Sequence, residues 1–353
     1  MTQAQSPRFS SIPALLRRFD QISRSLAFDA KTPRAFQAWR RKLLAKLKSL
    51  TGYDTMRTCP LRPRITETRE FPDYVRQRVE IQTEPGVVMP LYVLVPKARK
   101  SERLPAILCP HGHVSGGKLA VVNDDAGNAK LREMIDLHNY DYGVQFCRAG
   151  FITFCPDARG FGERRERYFL NDILQSSCQY LNQAAYPLGQ TVTGMWAWDL
   201  RRLVDYAESR ADCDGGRIGC AGLSGGGLQA LWAGAFDDRI QAAVVSGYFY
   251  GYKESLLEMY NCSCNYIPHL YEYADIGDIA ATLAPRPLLI ETGDKDALNG
   301  ASGLKNVVSQ VAVTRRAYKL LGAGEHLVHD VFAAGHRWHG ELAIPFMQRH
   351  LQA

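Results

Sequence analysis

The chain has 353 residues, 43 basic against 36 acidic side chains for a formal charge of +7, and is 46% hydrophobic and 22% charged. That balance excludes disordered, collagen-like and coiled-coil classes and leaves a globular protein able to bury a substantial core. The densest basic run, Arg40, Arg41, Lys42, Lys46 and Lys48, reads as one solvated helix face without stacking aromatics, so no nucleic acid is expected as a partner.

The opening MTQAQSPRFSS has no apolar leader segment, and no charge-free stretch is long enough to span a bilayer. Nine cysteines, an odd number partly placed in apolar strand-like runs, read as reduced core thiols. Together these predict a cytoplasmic protein with no membrane partner. Residues 34–50 place Phe36, Trp39, Leu43, Leu44, Leu47 and Leu50 at helical spacing, closed by Gly52, so the N-terminal portion is expected to be helical with one apolar stripe. From about residue 66 the period changes, and RQRVEIQT, VVMPLYVLVP and LPAILCPHG read as strands.

Strands and helices then alternate. GFITFCPDARG, RIGCAGLSGGG, QAAVVSG, RPLLIETGD and LVHDVFAAGH read as strands with their turns, interleaved with helices at GMWAWDLRRLVDYAESR, LQALWAGAF, about 300–320 and ELAIPFMQRHL. Apolar strands alternating with helices imply an α/β fold, a mostly parallel central sheet with helices on both faces. Ligands in such sheets bind beyond the carboxyl ends of the strands, which makes the turns there the positions to inspect.

RIGCA runs through Gly222, Leu223, Ser224, Gly225, Gly226 and Gly227 into a helix, the strand, sharp turn and helix context of a GxSxG nucleophile elbow. Such a turn is cramped, so the positions two residues either side of the serine must lack bulk, and Gly222 and Gly226 do. The competing fingerprint Gly225, Gly227, Ala230 fits GxGxxA, but the following strand ends in Ser246 and Gly247 without the acidic residue a ribose needs. A serine hydroxyl needs a base and an orienting carboxylate. Asp294 and Asp296 follow one strand and His336 and His339 follow the last; Asp296 and His336 are the preferred catalytic pair. The amides of His113 and Gly225 are the expected oxyanion donors, and His111 reads as structural. No metal is expected: His326, His329, His336 and His339 lack a metalloprotease pattern, and Cys262 and Cys264 are too tightly spaced for a usual zinc pair.

PHGH (110–113), PDARGFGER (156–164), GLSGGG (222–227), NCSCNYIPHL (261–270), APRPLLIETGDKD (284–296) and GHRWHGE (335–341) together resemble the α/β-hydrolase superfamily, in its dienelactone hydrolase-like and acetyl xylan esterase-like branch. The resemblance runs from about residue 66 to the end. It implies Ser224 as nucleophile, Asp296 as triad acid, His336 as base, His113 and Gly225 as oxyanion hole, and Asp157, Arg159 and Glu163 as a structural turn. Two departures stand out, the third glycine of the elbow and ALNG after Asp296.

The expected organisation is an N-terminal helical extension (1–65) packing on an α/β-hydrolase domain (66–353), with lid-like insertions near 164–190 and 248–273. Both insertions are rich in tyrosine, which suits an aromatic or sugar-like group or packs the insertion down; Tyr248, Tyr250 and Trp338 are the candidate substrate contacts. The expected function is a serine esterase acting on a small-molecule ester without a cofactor. Peptidase, amidase, acyltransferase and carbon–carbon hydrolase activities share the triad, and a noncatalytic binding module shares the fold. A homo-oligomer is left open.

Overall fold

The computed structural model describes residues 9–99, 101–113 and 116–352. The leader reading of the first eleven positions therefore falls mostly outside the described residues. Among the described residues nine strands form one sheet: β1 (Arg64–Glu70), β2 (Tyr74–Glu84), β3 (Val87–Pro96), β4 (Leu104–Leu108), β5 (Ile152–Pro156), β6 (Cys213–Leu223), β7 (Ile240–Ser246), β8 (Leu288–Gly293) and β9 (Leu327–Phe332). Their order is β1-β2-β3-β5-β4-β6-β7-β8-β9. The first four in that order pair antiparallel, and β5 through β9 pair parallel, which is the expected α/β-hydrolase fold.

Strands β4, β5 and β8 are buried along their whole length, as crossover helices on both faces require. Alternation sorts β7 between two cores: Ala243 and Val245 enter one apolar cluster, Ala242 and Val244 the other. The edge strand β1, which the sequence reading missed, is exposed at every position. Its charged Arg64, Glu67, Arg69 and Glu70 blunt an edge that would otherwise invite pairing.

Among the described residues twelve helices surround the sheet. Before it come α1 (Ile12–Ile22) and α2 (Pro33–Thr51); between β4 and β5 come α3 (Lys118–Val121), α4 (Ala129–His138) and α5 (Tyr142–Arg148). Then follow α6 (Cys178–Ala185), α7 (Val192–Ser209), α8 (Gly225–Phe236), α9 (Leu270–Tyr273), α10 (Ile276–Ala281), α11 (Leu304–Leu320) and α12 (Ala343–Leu351). The helix expected over 34–50 is α2. Thr32 caps it by accepting from the Ala35 amide, Pro33 opens it, and Gly52 closes it at φ 70°. Its buried Phe36, Leu43 and Leu47 are three of the expected stripe positions. On the basic face, Arg40 does not stay in solvent: its guanidinium donates to the Thr282 carbonyl at 2.6 Å and to Asp238. No helix among the described residues is long and apolar enough to cross a membrane, and all nine cysteines are free thiols.

The two N-terminal helices are joined to the main body at chain ends. The last carbonyl of α2, at Thr51, accepts the amide and hydroxyl of Thr191, the residue that caps α7. Gly194 in the first turn of α7 sits so close that a Cβ there would overlap the Thr51 carbonyl oxygen. Gly194→Ala should therefore push the two helices apart and destabilise the protein by about 1–3 kcal/mol. Urea denaturation of the variant against the parent measures it, and an unchanged midpoint would show that the junction tolerates a shift.

Candidate active site

Ser224 links β6 to α8, at φ 60° and ψ −121°. A residue with a Cβ pays for that region of backbone space, and the surroundings hold it there. A Cβ on Gly222 would lie 2.5 Å from the Gly226 carbonyl carbon, and one on Gly226 would overlap the Pro110 carbonyl oxygen. The third glycine of the elbow has the same reason: a Cβ on Gly227 would lie 2.7 Å from the Ser246 carbonyl oxygen at the end of β7. That same carbonyl accepts the Ser224 amide at 2.8 Å. The serine is half-buried, so its hydroxyl is not sealed in the interior.

Beyond β8, Asp296 is 6% exposed and accepts His336 Nδ1 at 2.7 Å, while its other oxygen accepts the Leu298 amide at 2.9 Å. Asp294 points outward, exposed. The His336 side chain keeps 26% of its surface. Its ring lies beside Gly247, where a Cβ would be 3.0 Å from His336 Cε1; Gly247 directly follows the Ser246 that holds the Ser224 amide. Ser224 and His336 make no hydrogen bond with each other among the described residues, an arrangement that commonly tightens only with substrate bound. His339 belongs to a different group: it bonds Asp330 at 2.7 Å and stacks on Phe332. The four histidines of the C-terminal string do not converge, since His326 bonds the Pro285 carbonyl and His329 bonds Thr292.

The loop after β4 crosses directly over the serine turn. A Cβ on Gly112 would meet the Leu223 carbonyl oxygen at 2.7 Å and Ser224 Cβ at 3.0 Å. Gly225 opens α8, so its amide has no acceptor within the helix. The His113 amide likewise donates to no other described residue. Two residues that the sequence reading missed hold this loop. Tyr140 accepts the Gly112 amide at 2.8 Å, and Tyr142 donates to the Pro110 carbonyl at 2.6 Å. His138 bonds the His336 carbonyl at 2.6 Å, so the stretch from α4 to α5 touches both halves of the site.

The turn at Asp157 and Arg159 is a buried charge network. Asp157 accepts Lys118 Nζ at 2.6 Å and the Glu163 amide at 3.0 Å, while Arg159 grips Asp199 with two bonds at 3.0 and 2.8 Å. Burial opposes ionisation of Asp199, but Arg159 and Arg164 outweigh it and hold the carboxyl below the usual range. On the other side, Glu291 in β8 accepts the Gly340 amide at 2.9 Å, anchoring the loop that carries His336. Burial raises its pKa to about 7.

The expected substrate contacts need correction at Trp338. It is fully buried, tilted against Tyr142 at 4.8 Å and edge-on to Phe146 at 5.9 Å with Nε1 donating to Gln145, so it packs α5 and lines no cleft. Tyr248 and Tyr250 are 3% and 2% exposed and pack edge to face with each other at 5.3 Å. In this conformation they offer a substrate almost no surface.

This assembly defines the class: an α/β-hydrolase whose serine turn, paired histidine and carboxylate, and glycine-lined loop sit beyond the carboxyl ends of β6, β8, β9 and β4. Residues 8–334 match the model of the Abhydrolase family, and the chain belongs to that family. The match begins ahead of α1, so it includes the N-terminal helices that the sequence resemblance left out. The hydrolase YtaP, named as a candidate, of Bacillus subtilis strain 168 is 29% identical over 230 residues, 63% of this chain and 70% of that protein. A candidate acetyl xylan esterase of Bacteroides fragilis superposes with a TM-score of 0.76 at 19% identity, covering 95% of this chain and 84% of that one. A glucuronoyl esterase of Solibacter usitatus gives 0.69 at 18% identity, covering 93% and 97%.

His111 supplies a pH test of the loop. It is buried, bonds the Gly112 carbonyl through Nδ1 and accepts the Ala158 amide on Nε2 at 3.0 Å, and burial lowers its pKa from 6.5 to about 4. The unfolded ring takes up a proton below 6.5 while the folded ring does not. Its contribution to stability is thus full above that pH and is lost as pH falls toward 4. Between pH 7 and pH 5 the loss from this group is about 2 kcal/mol. His111→Gln, which keeps an amide-facing oxygen but cannot titrate, should lose correspondingly less over that interval in urea denaturation. Equal losses in the two proteins would remove His111 from the acid response.

Proposed function

We propose that this protein hydrolyses carboxylic esters through an acyl-enzyme on Ser224. The observation that carries the reading is the Asp296–His336 pair, at 2.7 Å, held by Gly247 against the strand end that fixes the strained Ser224 turn. Ser224 Oγ attacks the ester carbonyl carbon as His336 Nε2 takes its proton. The carbonyl oxygen becomes an oxyanion facing the amides of His113 and Gly225, and Asp296 stabilises the imidazolium through Nδ1. The tetrahedral intermediate collapses, His336 returns the proton to the departing alkoxide, and the alcohol leaves. Water then attacks the acyl-enzyme with His336 again as base, releasing the acid and restoring Ser224. All of this is done by side chains and amides, so the reaction calls for no cofactor.

The structural likeness to proteins described as acetyl xylan and glucuronoyl esterases supports a sugar-borne ester as the first class of substrate to test. In this reading the described part of the 1–65 extension covers the catalytic domain of 66–353 with α1 and α2, and the segments near 164–190 and 248–273 border the site. The free thiols and the absence of an apolar spanning helix among the described residues suit the cytoplasm.

Ser224→Ala should lower turnover of a small activated ester by at least ~10³-fold while leaving the circular dichroism spectrum and melting temperature close to those of the parent. A fluorophosphonate probe should label the parent and not the variant. Asp296→Ala and His336→Ala should each cause large falls in kcat, and exposed Asp294→Ala should not. Turnover that survives Ser224→Ala would overturn the assignment.

A further inference from the structure

His113, Cys178, Cys262 and Cys264 are remote in sequence and converge in space. Cys178 opens α6, Cys262 precedes one short turn and Cys264 lies within it, and His113 lies in the loop between β4 and α3 that passes over the serine. Their four ligand atoms all lie within 4.8 Å of one another. His113 Nε2 is 3.1 Å from Cys264 Sγ, and Cys178 Sγ is 3.0 Å from Cys262 Sγ. Cys178 and Cys264 are fully buried, while His113 and Cys262 are half-buried.

We propose that these four side chains hold a structural zinc ion. Three sulfurs and one imidazole nitrogen are a recognised tetrahedral donor set for zinc, and soft thiolates select against magnesium or calcium. With zinc–sulfur bonds of about 2.3 Å and a zinc–nitrogen bond of about 2.0 Å, the edges of the tetrahedron are roughly 3.6–3.8 Å, so the two shortest pairs, at 3.0 and 3.1 Å, open by roughly 0.5–0.8 Å to seat the ion. All four positions are filled by protein, leaving no open position for substrate or water, which marks the site as structural. A second layer is in place: Asn265 Nδ2 donates to Cys264 Sγ at 3.7 Å, and Ser176 Oγ lies 3.6 Å from Cys178 Sγ. On binding, each cysteine gives its thiol proton to solvent and its sulfur to the ion, with no change in oxidation state.

A disulfide between Cys178 and Cys262 is the competing outcome. It would use two sulfurs and leave the third thiol and the imidazole gathered around them without purpose. The zinc reading accounts for all four. It also says what the ion does: it ties the start of α6 and the 262–264 turn to the His113 loop, whose backbone borders Ser224. The C-x-C pair alone is too tight to chelate in the usual way, and the missing ligands lie 84 and 151 positions upstream.

The site is testable without reference to catalysis, so its failure and that of the ester reading are separable. The full-length chain, purified without chelator, should contain about one zinc per molecule by plasma mass spectrometry. Ser224→Ala should retain it. Cys178→Ser/Cys264→Ser should lose it, and Asp330→Asn, in the separate Glu291, Asp330 and His339 group, should keep it. Since a cysteine variant that fails to fold would lose zinc for that reason alone, the parent is also stripped with a chelator under reducing conditions and titrated with Co(II). Thiolate-to-cobalt charge-transfer absorption and the visible bands of tetrahedral cobalt should then develop and saturate near one equivalent. A parent chain that contains no zinc and develops no cobalt bands overturns the proposal. So does an intact mass about 2 Da low, which reports a disulfide, or zinc that persists in the cysteine variant.

Discussion

Ser224 keeps its left-handed backbone because three other backbones press on the turn around it. The Pro110 carbonyl, the Gly226 peptide and the Ser246 carbonyl occupy the space where side chains at 226, 222 and 227 would otherwise stand. Such crowding is what a strained turn needs, since a φ of 60° at a serine persists only where neighbours leave the chain no cheaper path. The same contacts set the positions of everything else. Pro110 begins the loop that carries His113, and Ser246 ends the strand next to β8, from whose end Asp296 comes. A single steric constraint therefore brings three strand ends into register around one hydroxyl.

The loops that converge there are held by buried polar groups, each with a named partner. Tyr140 and Tyr142 fix the loop after β4, and Glu291 takes the Gly340 amide behind His336. Asp157 with Lys118, and Arg159 with Asp199, fix the turn after β5. Burying these charges is costly, and removing one partner would leave the other stranded. Placing them around the site exchanges some stability for loops of defined shape. That exchange is consistent with chemistry in which an amide and an imidazole must meet a reacting carbonyl within a few tenths of an ångström.

The parts of the fold with a strong periodic signal were readable from sequence. Apolar β4, β5, β7 and β8 announced a parallel sheet, and Phe36, Leu43 and Leu47 announced α2. Ser224 stood out because its glycines are a steric requirement written into residue identity. Other features left no local trace. The helices between 118 and 148 include two very short ones whose residues are buried on several sides, so no amphipathic period develops. Trp338 is a candidate contact in the sequence, yet the chain turns it inward onto Tyr142. Glu291 follows the apolar Leu288, Leu289 and Ile290 in β8, and its partners, the amides of His339 and Gly340, come from a loop far along the chain. The thiol and imidazole group was invisible for a related reason: its members are contributed by segments that meet only in three dimensions.

The tyrosine-rich stretch after β7 shows how the N-terminal helices bear on the site. Residues 24–26 run along 271–273, with the amides of Arg24, Ser25 and Leu26 donating to the carbonyls of Tyr271, Glu272 and Tyr273 at 2.9, 2.8 and 2.9 Å. Arg24 adds two bonds to fully buried Asp278, whose carboxylate also accepts the Phe28 amide. Phe19 packs edge to face on Tyr271. Residues 19–28 thus hold the 271–278 segment down, and Tyr248, Tyr250 and Tyr252 are buried and not displayed. Of the two roles tyrosine could play there, packing dominates: the phenol rings fill the space under the segment, and desolvation alone would keep their hydroxyls protonated.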